Sequence, residues 1–159
     1  VAEHRQEQPA PDAVLTRIGQ LVMLHHGGDR EEARRRLLEL WTELGEEGDP
    51  LHRCTVAHYL ADTQDDPFDE LAWDLRALTA AEEHERAPAV RALYPSLHLN
   101  LAADYVKLGR TEAARTHVRK ARRAARGLRD DTYGDGVRAA ISRMELRLGE
   151  GGLDHLRSE

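Results

Sequence analysis

Nine histidines and a scatter of carboxylates are the first residues to test for chemistry in this chain of 159 amino acids. His58 and Asp62 stand four positions apart, which on a helix puts an imidazole and a carboxylate on one face, within reach of a shared proton or a metal ion. A metal centre needs further donors at comparable spacing. No HExxH, no paired cysteines and no second tight cluster supply them, so the histidines read as solvated or packing groups and no metal is expected. The single cysteine, Cys54, has no CxxC partner and no neighbouring base, and reads as a small buried packing residue. A Walker loop, a dinucleotide fingerprint and a GxSxG elbow are absent, and the stretch GDGVRAA has neither the spacing nor a preceding strand for cradling phosphate. The chain is therefore expected not to be an enzyme and to carry no cofactor.

The elements that would position these residues are helices. The composition is 40% hydrophobic, 33% charged and only 4% aromatic, poor in strand formers and rich in Ala, Leu, Arg and Glu. Residues 1–11 are polar, without periodicity, and end in Pro-Ala-Pro, which predicts a disordered tail. From Asp12 the apolar residues Leu15, Ile18, Leu21, Val22 and Leu24 share one helical face up to Gly27 and Gly28. Asp29 and Glu32 have the spacing of a capping box for a second helix burying Ala33, Leu37, Leu40, Trp41 and Leu44. Asp49-Pro50 and Asp66-Pro67 pair an acidic N-cap with proline at the first helical position, opening a third helix through Gln64 and a fourth built on Leu71, Leu75 and Leu78. The stretch EEHERAPAV is a longer fourth helix, a loop or a short extra turn. A fifth helix from Pro95 ends at Gly109, a sixth runs from Thr111 to Gly127, and a last one runs from about Thr132 to a stop at Gly149 to Gly152, leaving a tail over 150–159. The result is an all-α fold of about seven antiparallel helices in one domain over residues 12–149.

These helices repeat. The first helices of three successive pairs start near Val14, Pro50 and Pro95, and the turns closing them fall at Gly28, Gln64 and Gly109, each about fourteen residues on. In the third pair Leu101, Ala102, Tyr105, Gly109, Ala114, Val118 and Ala121 stand at signature spacing, and Leu21, Leu24, Gly28, Ala33, Leu37 and Leu40 align with them in the first. On these residues the chain resembles the tetratricopeptide-repeat family. The second pair departs from the pattern: Val56, Ala57 and Leu60 fit, but Gln64 replaces the turn glycine and the helix after Pro67 is shifted. The starts are about 36 and 45 residues apart, against about 34 for the usual unit, so the repeats are irregular. The resemblance implies three stacked helix pairs with the seventh helix as a solvating cap; a closed α-helical bundle is the alternative.

In such an array the first helix of each pair lines a concave groove. The polar positions this geometry selects are His25 and His26, then Thr55, His58 and Asp62, then Asn100, Ala103 and Lys107, with His26, Thr55, His58, Asp62, Asn100 and Lys107 as the candidate binding residues. Asn100 occupies a position at which peptide-binding members of the family clamp a ligand backbone or terminal carboxylate, but Ser96, Leu99 and Ala103 do not reproduce the accompanying basic residues. Tyr59, His98 and Asp104 are expected to hydrogen-bond within the groove. The implied function is that of a non-catalytic adaptor binding a protein or peptide, with a regulatory sensor of a small molecule or short peptide as the alternative and self-association as a further one. A formal charge of −6 argues against general nucleic-acid affinity, and the stripe Arg115, Arg119, Arg122, Arg123 and Arg126 reads as a solvated face. No apolar run approaches membrane length and no secretory signal is visible, which makes the cytoplasm the expected compartment.

Overall fold

The computed structural model describes residues 12–157, with side chains over 12–149. Among these residues the chain is all-helical: α1 Ala13–His26, α2 Arg30–Leu44, α3 Pro50–Asp62, α4 Pro67–Glu82, the short α5 Pro88–Arg91, α6 Tyr94–Lys107, α7 Thr111–Ala125 and α8 Thr132–Arg157. The expected tail over residues 1–11 lies outside the described residues. No helix of the described chain is long and apolar enough to cross a membrane.

Short turns force each helix to fold back on the last, and the principal contacts follow the chain: α1 on α2, α3 on α4, α6 on α7, with α2 on α3, α4 on α6 and α7 on α8 joining successive pairs. Three apolar clusters succeed one another in the same order. Ile18, Leu21, Leu37, Leu40, Val56 and Leu60 fill the first, Cys54, Ala57, Ala77, Ala80, Ala81, Val90 and Leu97 the second, and Ala102, Ala114, Val118, Ala121, Ala125, Val137, Ile141 and Leu148 the third. Alanines at the helix crossings bring backbones close, while each buried Leu or Ile contributes about 1.5–3 kcal/mol of transfer free energy. Trp41 and Trp73 meet edge to face at 5.3 Å and join the first two clusters.

Turn chemistry explains the boundaries. Gly28 and Gly109 adopt φ +100° and +72°, a left-handed conformation that side-chain-bearing residues rarely take, and both close the first helix of a pair. At α3 the Asp49 carboxylate accepts from the Leu51 and His52 amides at 2.8 and 3.3 Å. The expected capping box at α2 does not form. Asp29 makes no side-chain cap bond, and Glu32 is drawn instead to Arg35 and Arg36 on its own helix, whose guanidinium hydrogen bonds outcompete a neutral amide. Asp49→Ala is therefore expected to lower stability by about 1 kcal/mol and Asp29→Ala by far less, measured by urea unfolding.

One open reading is decided and two further expectations are revised. Residues 82–94 resolve into a turn and the single helical turn α5, with Val90 buried as its anchor. The helix expected from Pro95 begins at Tyr94. The stop expected at Gly149 to Gly152 is not taken, and α8 continues to Arg157, because glycine raises the cost of a helix by about 1 kcal/mol per residue without breaking it as proline does.

Candidate functional site

The chemistry of the fold concentrates where α3, α4 and α6 meet. Asp66 caps α4 by accepting from the Phe68 amide at 2.7 Å, with Pro67 at the first helical position, which fixes the register of that helix. Glu70 and Asp74 then fall four apart on the face turned to α6, where Asp104 and Lys107 stand three apart. One carboxylate oxygen from each of Glu70, Asp74 and Asp104 lies within 4.8 Å of the other two. At the rim Lys107 Nζ donates to Glu70 Oε1 at 2.7 Å.

Three carboxyls this close cannot all ionise, and burial decides which keeps a proton. Asp104 is 1% exposed and its carboxyl is pushed up to about 11, first by loss of water and then by Asp74 and Glu70. Asp74, 4% exposed, rises to about 7, again chiefly by burial, with hydrogen bonding to Asp104 opposing the rise. For Glu70 burial works upward but is outweighed by hydrogen bonds from Asp104 and Lys107, so its pKa falls. A neutral Asp104 thus donates within the cluster beside an ionised Glu70, the arrangement of two carboxyls whose environments drive their proton affinities apart.

Across the α3–α6 seam Asn100 Nδ2 donates to His58 Nδ1 at 3.0 Å, and that nitrogen lies 4.0 Å from Asp74 Oδ1. Accepting the amide hydrogen leaves Nδ1 without a proton, and burial depresses the His58 pKa despite the opposing charge of Asp62. The ring is accordingly neutral at pH 7. On its other side Asn100 borders a recess of about 310 Å³ between α6 and α8, lined by Leu99, Ala103, Ala140 and Met144 with Arg143 and Arg147 alongside.

The groove residues selected from sequence are thus only partly assembled. His58 and Asn100 are in direct contact, and Lys107 belongs to the same cluster through Glu70. Asp62 is exposed on α3, and partial loss of water raises its pKa, with Glu70 adding to the rise. His26 is exposed, with His25 as ring neighbour at 5.5 Å. Thr55 is turned away from binding, since its hydroxyl donates back to the Leu51 carbonyl at 2.7 Å. Asp104 does join the cluster, whereas His98 pairs on another seam, its Nδ1 3.0 Å from that of His117. Glu70 and Asp74 were not selected; an i, i+4 acidic pair following Asp66-Pro67 was the available signal, but it looks like any solvated helix face until α6 is packed on it.

Two other expectations meet the structure here. Cys54 is buried, and loss of water pushes its thiol up to about 12, far from a reactive thiolate. The arginine stripe of α7 is not simply solvated: Arg122 reaches Glu145 and Ser142 of α8, and Arg115 donates to the Leu148 carbonyl at 3.2 Å, so two of its members fasten α8 to the stack.

No family model matches the chain, and no curated protein or solved structure shows significant similarity to it.

Proposed function

We propose that the chain is a non-catalytic binding scaffold of the tetratricopeptide-like kind, holding an extended segment of a partner protein across the faces of α3, α6 and α8. The observation that carries the reading is the setting of Asn100. Its amide is anchored on one side by His58 and opens on the other to an apolar recess of about 310 Å³, with Leu99 and Met144 in its lining and two arginines beside it. A side-chain amide held in place can bond a peptide backbone, a recess of that size takes one apolar side chain, and Arg143 and Arg147 suit a carboxylate. These basic groups, absent at Ser96, Leu99 and Ala103 of α6, come from α8. Asp62, exposed at the other end, gives the face opposite charge at its two ends, which would orient a segment and fix its register. The stacking of the pairs in chain order, their three successive cores and the glycine turns support the repeat reading.

The experiment is selection of binding peptides from a random displayed library, followed by fluorescence anisotropy on the enriched sequences. Asn100→Ala is expected to weaken binding about tenfold, equivalent to about 1.4 kcal/mol for a lost hydrogen bond, and Arg143→Glu to abolish preference for a carboxylate. Failure to enrich any sequence family, or equal affinities for wild type, Asn100→Ala and His58→Ala, would remove this face from consideration. The sensor alternative draws on the same recess, which sits at the lower end of small-ligand pocket sizes, and a small molecule displacing the peptide would favour it.

A further inference from the structure

The carboxyl triad between α4 and α6 holds more acceptors than the fold supplies donors for. Apart from the proton that Asp104 retains, no donor reaches Asp74 Oδ1 or Asp104 Oδ2, although both residues are more than nine-tenths buried. The cation beside them, Lys107, is paired with Glu70 at the exposed rim. A buried acceptor left without a partner costs about 1–3 kcal/mol, and more when charged. A helix seam that needed only filling would take small or apolar residues, as the same two helices do at Ala77 and Leu101.

We propose that Glu70, Asp74 and Asp104 form a binding site for a divalent cation of the calcium type, entered from the Glu70 and Lys107 side. Charge supports a multivalent ion: three carboxylates, with Asp62 nearby, stand against the single ammonium of Lys107. Donor chemistry supports the class, because an all-carboxylate set suits hard cations and not zinc or copper. The three oxygens lie within 4.8 Å of one another, close enough for one ion with metal–oxygen distances of about 2.3–2.6 Å to bridge. Three carboxylates offer up to six oxygens, and water completes the shell. His58 is not a ligand, since its Nδ1 is held by Asn100; it stands behind Asp74 and limits that carboxylate's movement. Lys107 and Asp62 are the other charged groups facing the site. In the absence of the ion a proton on Asp104 occupies the same electrostatic role, so binding displaces it. The site is independent of the peptide reading.

Titration of the full chain with terbium and calcium ions tests the proposal. Terbium occupies calcium-type sites and is excited through a neighbouring indole, here Trp73, which precedes Asp74. The expected result is saturable luminescence on tryptophan excitation, reversed by calcium more effectively than by magnesium, a calcium-dependent rise in melting temperature, and proton release seen as a buffer-dependent calorimetric enthalpy. Glu70→Gln, at the rim and thus least able to disturb folding, should weaken calcium binding at least about tenfold, because even partners outside the ligand shell of metal sites carry 10–100-fold. Asp74→Asn should abolish it. Absence of terbium and calcium binding up to about millimolar concentrations, or unchanged affinity in Glu70→Gln, would overturn the assignment.

Discussion

In chelator-containing buffer, Asp104→Asn is expected to be more stable than wild type at pH 8, with the advantage shrinking toward pH 5. The folded chain keeps a proton on Asp104 far above the ordinary value of 3.8, because the carboxyl is buried among Asp74 and Glu70. The unfolded chain releases that proton near its ordinary pKa. Between those limits the folded state binds the extra proton, so stability falls as pH rises, by at most about 1.4 kcal/mol per unit for one full proton. From pH 5 to pH 8 this amounts to at most about 4 kcal/mol. Asparagine keeps the shape and one donor while removing the titration. Urea unfolding at pH 5, 6.5 and 8 gives the comparison, and a variant destabilised equally at all three would mean that Asp104 is ionised in the folded state.

The same variant bears on the cation site from the opposite direction. Asparagine relieves the protonation cost in the metal-free chain, yet it removes a charged ligand, so Asp104→Asn should be stabilised without calcium and unresponsive to it. A residue serving only to pack the α4–α6 seam would show the first effect without wild type showing any calcium response. The stability curve and the ion titration thus read different properties of one carboxyl.

The helical skeleton was legible because its signals are local. Asp49-Pro50, Asp66-Pro67, Gly28 and Gly109 act within a few residues, and the alanines and leucines of the third pair reveal their buried face by spacing alone. Local signals failed where a competing side chain intervened, as when Arg35 and Arg36 drew Glu32 from the α2 cap. Over 82–94 they left a longer helix, a loop and a short extra turn open, because among polar residues only the buried Val90 anchors the turn that forms. The site was legible on one element at a time. His58, Asn100 and Lys107 could be placed on faces by helical arithmetic, but the carboxyl triad joins Glu70 and Asp74 to Asp104 across thirty or more residues, and its meaning depends on packing that no spacing rule contains.

Acid should expose the second seam. His98 is buried against His117, with their Nδ1 atoms 3.0 Å apart and the rings of Tyr94 and Tyr105 flanking the pair. One nitrogen must donate and the other accept, so the bond is lost once the accepting Nδ1 is protonated, and burial opposes the charge that any added proton brings. Burial first, then the charges of His117 and Lys120, hold the His98 pKa down to about 4, and burial lowers His117 as well. Because the folded value lies below the unfolded one, stability is intact above about pH 6.5 and is lost as pH falls toward 4, as the unfolded chain takes up protons that the folded chain refuses. One such histidine accounts for up to about 3 kcal/mol over this interval. The carboxyl triad pulls the other way, gaining stability as pH falls, so the two seams together should give wild type a stability maximum between acid and alkaline limbs. His98→Phe preserves the ring stack without the titrating nitrogen and should flatten the acid limb alone, as Asp104→Asn flattens the alkaline limb alone. Chelated urea unfolding from pH 4 to pH 9 on the two single variants and the double variant resolves this. An acid limb unchanged in His98→Phe would place its origin outside the His98–His117 pair.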